Sequence, residues 1–345
     1  MKITTVGLDL AKSVFQVHGV DVRGKAVLRK QLKRSEMATF FANLPSCLIG
    51  MEACSSAHHW ARKLMALGHE VRLMAPQFVK PYVKTNKNDR NDAEAICEAV
   101  ARPNMRFVPV KTSEQQTVLA LHRARAAYVK ARTAQANQMR GLLSEFGIIL
   151  PAGIAHLYRQ VPDILADGDN TLPGPMRALL RRLLAQLKAL DQQVGELKGE
   201  IVTWHLHNED SRRLEHIGGF GPLTASALVA SLGNARSFKN GRQVAAWLGL
   251  VPRQDSSGGK TKLLGISKHG DVYLRTLLIH GARAVLRHLA HRSHGTNDWL
   301  RRLLARRHKN IAAVALANKN ARIAWALLAH QRDFAPDYVS VDPSH

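Results

Sequence analysis

The first hundred residues change hydrophobic period in an order that restricts the architecture more than any other feature of the chain. Residues 3–10 form a β-rich run ending near Asp9, and Phe15–Val20 and Ala26–Leu32 read as two further strands divided by the turn Asp21–Gly24. A helix is expected near Ser35–Leu44, then a buried strand Cys47–Met51 ending in Glu52, a helix near Ala57–Leu67, and a strand Glu70–Ala75. A three-stranded meander followed by alternating strands and helices predicts a mixed α/β sheet. A helix rich in alanine and acids follows from about Asp89 to Ala101, closed by Pro103.

This order places carboxylates at element ends. Asp9 ends the first strand in VGLD, Glu52 ends a later one in IGME, and Asp89 and Asp92 open a helix. In an RNase H-like sheet the first strand and the strand after the meander's helix are neighbours, so Asp9 and Glu52 would emerge together. The three-residue gap between Asp89 and Asp92 sets both on one helix face. Mg²⁺ prefers hard oxygen ligands, and a pair of ions ~3.5 to 4 Å apart suits phosphodiester chemistry. Taken singly, such acids also cap turns and complement a helix N-terminus. Sugar kinases and actin-like ATPases begin with a similar strand, but they need a Gly-rich phosphate turn. Here Asp9 is followed by Leu10-Ala11-Lys12-Ser13, and no GxxxxGK[ST] segment occurs.

Beyond residue 112 the pattern is helical. Val118, Leu121, Ala124 and Tyr128 recur at helix spacing with Arg and Lys between them, which predicts a long basic helix over about Ser113–Leu150. A Gly- and Pro-containing break over Pro162–Pro175 precedes a helix from Met176 to about Trp204. Leu179, Leu183, Leu187, Leu190, Val194 and Leu197 make one stripe along it. Two long helices joined by a loop suggest an antiparallel coiled-coil hairpin, whose role is spacing or dimerisation.

Charge decides the partner class. Fifty Lys and Arg stand against 26 Asp and Glu, a formal net charge of +24 over 345 residues, and a polyanion is the usual partner of such an excess. The last 140 residues hold 21 Lys and Arg against 9 Asp and Glu, half of that surplus, so the C-terminal region is the expected main nucleic-acid surface. No apolar run approaches the ~18–20 residues of a spanning helix, which argues against a membrane partner. MKITTVGLDL lacks the features of a signal peptide, so a cytoplasmic location is expected. Cys47, Cys54 and Cys97 show no CxxC spacing and read as reduced, mostly buried thiols.

Three C-terminal segments carry chemistry. Ile217–Ala225, IGGFGPLTA, reads as a helix-hairpin-helix in which Gly219 and Gly221 would expose backbone N–H groups to a phosphate, or as an ordinary tight turn between packed helices. Gly249–Lys260, GLVPRQDSSGGK, offers serines in a flexible glycine loop ringed by Arg253, Lys260, Lys262 and Lys268. A serine there could attack phosphorus while the cations offset charge on the phosphoryl oxygens, or the loop could only hold a phosphate. Arg301, Arg302, Arg306 and Arg307 look like a phosphate-contacting helix. His288, His291 and His294 have metal-like spacing, yet amid arginines they read as a solvated basic face. Trp247, Trp299 and Trp325 read as core.

Asp9, Glu52, KNDRNDAEAI at 87–96, IGGFGPLTA and the block from GLVPRQDSSGGK to ISKHGDVYLR together resemble the DEDD-type transposases of insertion-sequence family one hundred and ten. The chain is similar to its eleven-eleven subgroup and to the Piv and MooV invertases, from residue 1 to about 330. The resemblance implies a RuvC-like DEDD domain over 1–112, a coiled coil over 113–205, a C-terminal transposase domain over 206–330 and a tail over 331–345. It implies Mg²⁺ on Asp9, Glu52, Asp89 and Asp92, and a catalytic serine that fits Ser257, with Ser256 adjacent. It further implies DNA element ends and target as substrates, a noncoding bridge RNA as guide, and a dimeric or tetrameric assembly. The competing expectations are a RuvC-like junction resolvase using metal-activated water, and an inactive nucleic-acid-binding protein.

Overall fold

The computed structural model describes residues 2–84, 89–289 and 298–335, with backbone only at 89, 90 and 298. The chain divides into two compact units, Met1–Gln116 with Leu232–Ser237, and Thr117–Ser231 with Phe238–His345.

The first unit is built on a six-stranded sheet of order β3-β2-β1-β4-β5-β6. β1 (Thr5–Leu10), β2 (Val14–Val20) and β3 (Ala26–Lys33) form the expected antiparallel meander. After α1 (Met37–Ala42), β4 (Leu48–Glu52) returns parallel to β1, and after α2 (Ala57–Ala66), β5 (Glu70–Met74) runs parallel to β4. Parallel neighbours need such helical crossovers. α3 (Pro76–Val79) and α4 (Asp89–Val100) follow, and β6 (Phe107–Val108) pairs antiparallel to β5. β6 leaves no mark in the sequence, because two residues show no alternation.

Alternation sorts the two faces of this sheet. Val6, Leu8, Ile49 and Met51 are fully buried with Phe15, Trp60 and Leu64 on the α1/α2 side. Burying each such side chain contributes roughly 1.5–3 kcal/mol. The other face presents Gly7 and Gly50 to α4, which packs on β1, β2 and β4. A Cβ on Gly7 would lie 2.1 Å from the Ala93 carbonyl oxygen and 2.5 Å from the Cys97 nitrogen, and one on Gly50 would lie 2.7 Å from Val100 Cβ. Glycine normally weakens a strand interior. Here it lets a helix backbone touch the sheet. Cys97 is buried beneath that contact, and burial pushes its thiol up to about 12.

The second unit is mainly helical. α5 (Ser113–Ser144) stops six residues before the expected end, where Gly147 takes φ +74° and its N–H bonds the Ser144 carbonyl. α6 (Ile154–Ala166) corrects the expected break, since Pro162 lies inside this helix. Proline removes one helical hydrogen bond, but Leu157, Val161 and Leu165 are buried against Ala136, Met139 and Leu143 of α5 and against Leu180, Leu184 and Leu187 of α7 (Gly174–His207). Packing therefore overrides the local cost. The buried stripe of α7 is also shifted: Leu180, Leu184, Leu187, Val194 and Ile201 are buried, whereas Leu179, Leu183, Leu190 and Leu197 are half-buried. Arg132 of α5 ion-pairs with Asp191 of α7, and Gln135 donates to the Leu183 carbonyl at 3.2 Å, so these two helices run antiparallel.

The rest of this unit contains α8 (Glu209–Glu215), α9 (Pro222–Leu232), α10 (Gly241–Trp247), β7 (Pro252–Ser257), β8 (Lys260–Ile266), α11 (Val272–Leu289), α12 (Asp298–Arg306) and α13 (Lys309–His330). α13 packs on α10 and α11 through small side chains, Ala312, Ala313, Ala317, Ala321 and Ala324 all being fully buried. Among the described residues no helix is long and apolar enough to cross a membrane.

A buried polar bridge ties α5 to α9 and α11. His122 lies 3.0 Å from Tyr273 Oη through Nδ1 and 3.0 Å from Ser226 Oγ through Nε2. Ser226 donates its own proton to the Pro222 carbonyl, so it accepts from Nε2–H, and Nδ1 accepts from tyrosine. The ring is therefore neutral, and burial, with the Arg125 charge adding to it, holds His122 down to about 4. Below its ordinary value of 6.5 the unfolded chain takes up a proton that the folded chain refuses until about pH 4. Stability is expected to fall across that window by roughly 3 kcal/mol. Urea unfolding of the unaltered protein and His122→Gln between pH 7 and 4.5 checks this, and parallel pH dependences would refute it.

Candidate functional site

Asp9 and Glu52 leave the sheet side by side. The parallel pairing of β1 and β4 runs in register to Leu8 with Met51, and the next residues of the two strands are Asp9 and Glu52. Both are half-buried. Cys54 senses both: its thiol is pushed up by burial, then by the Glu52 charge and then by that of Asp9.

The path of α4 brings its first turn toward the same end. Cys97 Sγ lies 3.8 Å from the Thr5 carbonyl, and Gly7 sits beneath the turn between Ala93 and Cys97. Two strand residues advance ~6.6 Å and four helix residues ~6 Å, so moving from Gly7 to Asp9 means moving back one turn along α4. That turn carries Asp89 and Asp92. Asp92 is half-buried, and the Asp89 side chain lies outside the described residues. Later acids on the helix are engaged otherwise. Glu94 pairs with Lys84 at 3.5 Å and Arg29 at 3.8 Å, and Glu98 pairs with Arg102 at 2.5 Å and Lys84 at 3.2 Å. Hydrogen bonds from Arg102 and Lys84 hold Glu98 below the usual carboxylate range. Among the described residues no group of three or more His, Cys, Asp or Glu side chains is placed to hold a metal ion. Asp9, Glu52 and Asp92 therefore do not meet as a ready-made site, but all three are carboxylates, the hard oxygen ligands that Mg²⁺ prefers.

The serine segment is an antiparallel ribbon and not the flexible loop that its glycines suggest in sequence. Gly258 and Gly259, with φ +54° and +77°, make a two-residue turn between β7 and β8. Positive φ at both positions matches the right-handed strand twist, which explains the Gly-Gly. Ser257 faces Lys260 across the ribbon, Asp255 faces Lys262, and Ser256 faces Thr261. Directly paired residues share a face and sequence neighbours do not. Ser257 thus lies with Asp255, Lys260 and Lys262, while Ser256 lies with Gln254, Thr261 and Leu263. Gln254 Nε2 donates to Ser256 Oγ at 2.8 Å. Arg253 sits where the register slips, and both strands are exposed from Pro252 to Gly265. Lys268, at φ +57°, is exposed beyond the ribbon.

Arg275, which its local pattern alone does not mark out, anchors the ribbon's base. Its buried guanidinium donates to the Leu248 carbonyl at 3.1 Å and the His269 carbonyl at 3.0 Å, one on each side of the ribbon. Gly249 and Gly270 are needed there, since a Cβ on either would fall about 2 Å from a carbonyl oxygen, of His269 and Trp247 respectively. The signal available in sequence was the arginine in YLR directly after the ribbon.

Other expected residues are dispersed. Gly219, at φ +92°, backs onto α11, where a Cβ would lie 2.7 Å from the Gly281 oxygen, and Asn320 donates to the Gly218 carbonyl at 2.8 Å. Close packing accounts for Gly219, whereas Gly221 has open space beside it at the start of α9. Arg306 and Arg307 are exposed at the end of α12, and His308 caps α13. His288 is exposed, while His291 and His294 lie outside the described residues. Trp247 is 36% exposed against Phe238, a departure from the expected core position. Lys319 sits 4.9 Å over the Trp299 ring.

Two family models match the chain. A DEDD transposase family model of the IS110 type matches residues 6–148, from the sheet through α5. A second, described as "Transposase IS116/IS110/IS902 family", matches residues 211–304, which include the serine ribbon. The chain is 54% identical over 337 residues to a "Probable family 20 transposase" of Pseudomonas aeruginosa, covering 97% of this chain and 100% of that protein. It is 47% identical over 332 residues to the IS1111A transposase of Coxiella burnetii, covering 96% and 91%. The IS1328 transposase of Yersinia enterocolitica is 44% identical over 327 residues, covering 94% and 96%. The chain belongs to the IS116/IS110/IS902 family of insertion-sequence transposases.

Proposed function

We propose that this transposase cuts and rejoins DNA with two sets of groups, a carboxylate site of Asp9, Glu52, Asp89 and Asp92 that holds Mg²⁺, and the Ser257 hydroxyl as nucleophile. The observation that carries the reading is the β1–β4 register, which brings Asp9 and Glu52 out of the sheet together. The sheet order and its strand directions support an RNase H-like, RuvC-like reading of residues 1–112. With it go a coiled coil over 113–205, a transposase domain with a helix-hairpin-helix over 206–330 and a tail over 331–345.

Asp9, Glu52, Asp89 and Asp92 would supply the oxygen ligands of Mg²⁺, which would contribute Lewis-acid polarisation of the scissile phosphate. Ser257 Oγ attacks phosphorus, so that an Oγ–P bond forms as the strand's P–O bond breaks; the serine gives its proton to solvent and the freed strand end takes one up and leaves as a hydroxyl, while Lys260 and Lys262 on the same ribbon face offset charge on the phosphoryl oxygens. Arg275 holds the ribbon's base and is a positioning residue. Gly219, Gly221, Arg253, Lys268, Arg306 and Arg307 contribute to a phosphate-binding surface. The family resemblance supports a bridge RNA as the reader of donor and target sequence, with the protein reading backbone and shape in a dimer or tetramer.

Asp9→Asn and Asp92→Asn each remove a ligand oxygen's charge without touching the basic surface. Cleavage is expected to fall by on the order of 10²-fold or more, the scale of losing one electrostatic contact in a reaction site. DNA affinity in gel-shift titration should stay within a few-fold. Mg²⁺-dependent cleavage retained by both variants overturns the carboxylate assignment.

A further inference from the structure

We infer a second DNA contact in the first unit, a pocket that takes a backbone phosphate of the bound strand at the Asp9 end of the sheet. An open cavity of about 730 Å³ is lined by Ser13, Lys33, Arg34, Ser35, Trp60 and Lys63, among others. The antiparallel pairing of Leu10 with Phe15 and of Val14 with Lys33 places it at the end of the sheet where β1 terminates, just beyond Asp9. His59, Trp60 and Lys63 of its wall come from α2, on the side of the sheet away from α4, whereas Asp9, two residues beyond Gly7, follows the α4 face.

Three cations converge here without a carboxylate to neutralise them. Among the described residues none of Lys33, Arg34 and Lys63 makes an ion pair. Glu36, the acid on the same turn, accepts from the Lys33 backbone N–H at 2.7 Å. Two of the cations are positioned by an aromatic face: the Arg34 guanidinium is 5.6 Å and the Lys63 ammonium 5.4 Å from the Trp60 ring centroid. Arg34 also donates to the Lys12 carbonyl at 3.3 Å. Burial and the charges of Lys63, Arg62 and Arg34 push His59, on the same wall, below its ordinary value, which reports a positive local potential. Held cations and two serine hydroxyls, with no acid among the lining residues, suit a monoanionic phosphodiester oxygen pair. Trp60 is 4% exposed, so its ring positions cations and is not available to stack on a base. The contact is therefore independent of sequence.

This inference rests on the DNA-cutting reading but fails separately from it. Full-length protein is acetylated at lysine with and without a short mixed-sequence DNA duplex, and modification is read by mass spectrometry. Lys33 and Lys63 should be protected several-fold, with Lys25, at the β2–β3 turn, unprotected. Lys33→Gln/Lys63→Gln should flatten the dependence of log K on log salt by ~0.9 for each duplex phosphate that the variant no longer neutralises, and Lys25→Gln should not. Because that double variant leaves Arg34 and Trp60 in place, it keeps the packing against Phe15. Unchanged protection and slope with intact cleavage overturn the pocket alone, as does protection by single-stranded RNA but not by DNA. Protection that persists in an Asp9→Asn protein unable to cut supports the pocket. Cleavage that survives Asp9→Asn while protection is retained overturns the carboxylate reading alone.

Discussion

Ser257→Ala is expected to abolish the covalent protein–DNA adduct and strand rejoining together, by a factor on the order of 10³ or more, the scale seen when a hydroxyl nucleophile is removed. A serine that attacks phosphorus leaves a phosphodiester to protein that conserves the bond until a new strand end reverses it. A nuclease using water alone leaves none. Ser256→Ala is the discriminating control, because strand alternation turns Ser256 to the Gln254, Thr261 and Leu263 face and leaves Lys260 and Lys262 on the face of Ser257. Reactions on labelled DNA, trapped with denaturant, should show a shifted protein band for unaltered protein and Ser256→Ala and none for Ser257→Ala. Loss only in Ser256→Ala moves the nucleophile by one residue. Absence of an adduct from active unaltered protein, with recombination surviving in Ser257→Ala, replaces the serine mechanism with a resolvase-like one.

At Gly7 the expected loss is of folding and cleavage at once. A methyl group there meets backbone atoms, the Ala93 oxygen at 2.1 Å and the Cys97 nitrogen at 2.5 Å, and no rotamer change relieves that clash. α4 must lift from β1. Overpacking of this kind costs about 1–3 kcal/mol or more, a large share of a stability of roughly 5–15 kcal/mol. Since α4 carries Asp89 and Asp92, lifting it moves the start of the helix away from the strand end at Asp9, which on the proposed carboxylate site costs cleavage even in the part of the population that still folds. Gly7→Ala should therefore lower the urea midpoint and lose Mg²⁺-dependent cleavage even at temperatures where it remains folded. Gly141→Ala, in a helix with open space around the site, should leave both intact or gain up to ~1 kcal/mol. An unchanged midpoint and rate in Gly7→Ala would sink the close-approach argument.

These two positions also show where reading the chain residue by residue succeeds. Strand ends at Asp9 and Glu52, the meander and the helix opening at Asp89 follow from local patterns, because period-2 alternation and turn residues act over a few positions. Ser257 was nominated from a family segment with Ser256 beside it, and cross-strand register adds that the two serines lie on opposite faces of the ribbon. The Gly-Gly after it reads as flexibility in one dimension and as a tight ribbon turn once both φ values are positive.

Charge, strand order and the motif segments were thus enough to identify a DNA-directed transposase and to nominate its acids, since each is written in neighbouring residues. Long-range packing settled the rest. Pro162 stays helical because three apolar side chains of α6 are buried against α5 and α7. Arg275 reaches carbonyls on both sides of the ribbon, and Gly7 yields its strand position to a helix almost ninety residues further on. Such contacts depend on where distant backbone meets, a distance that no local pattern encodes.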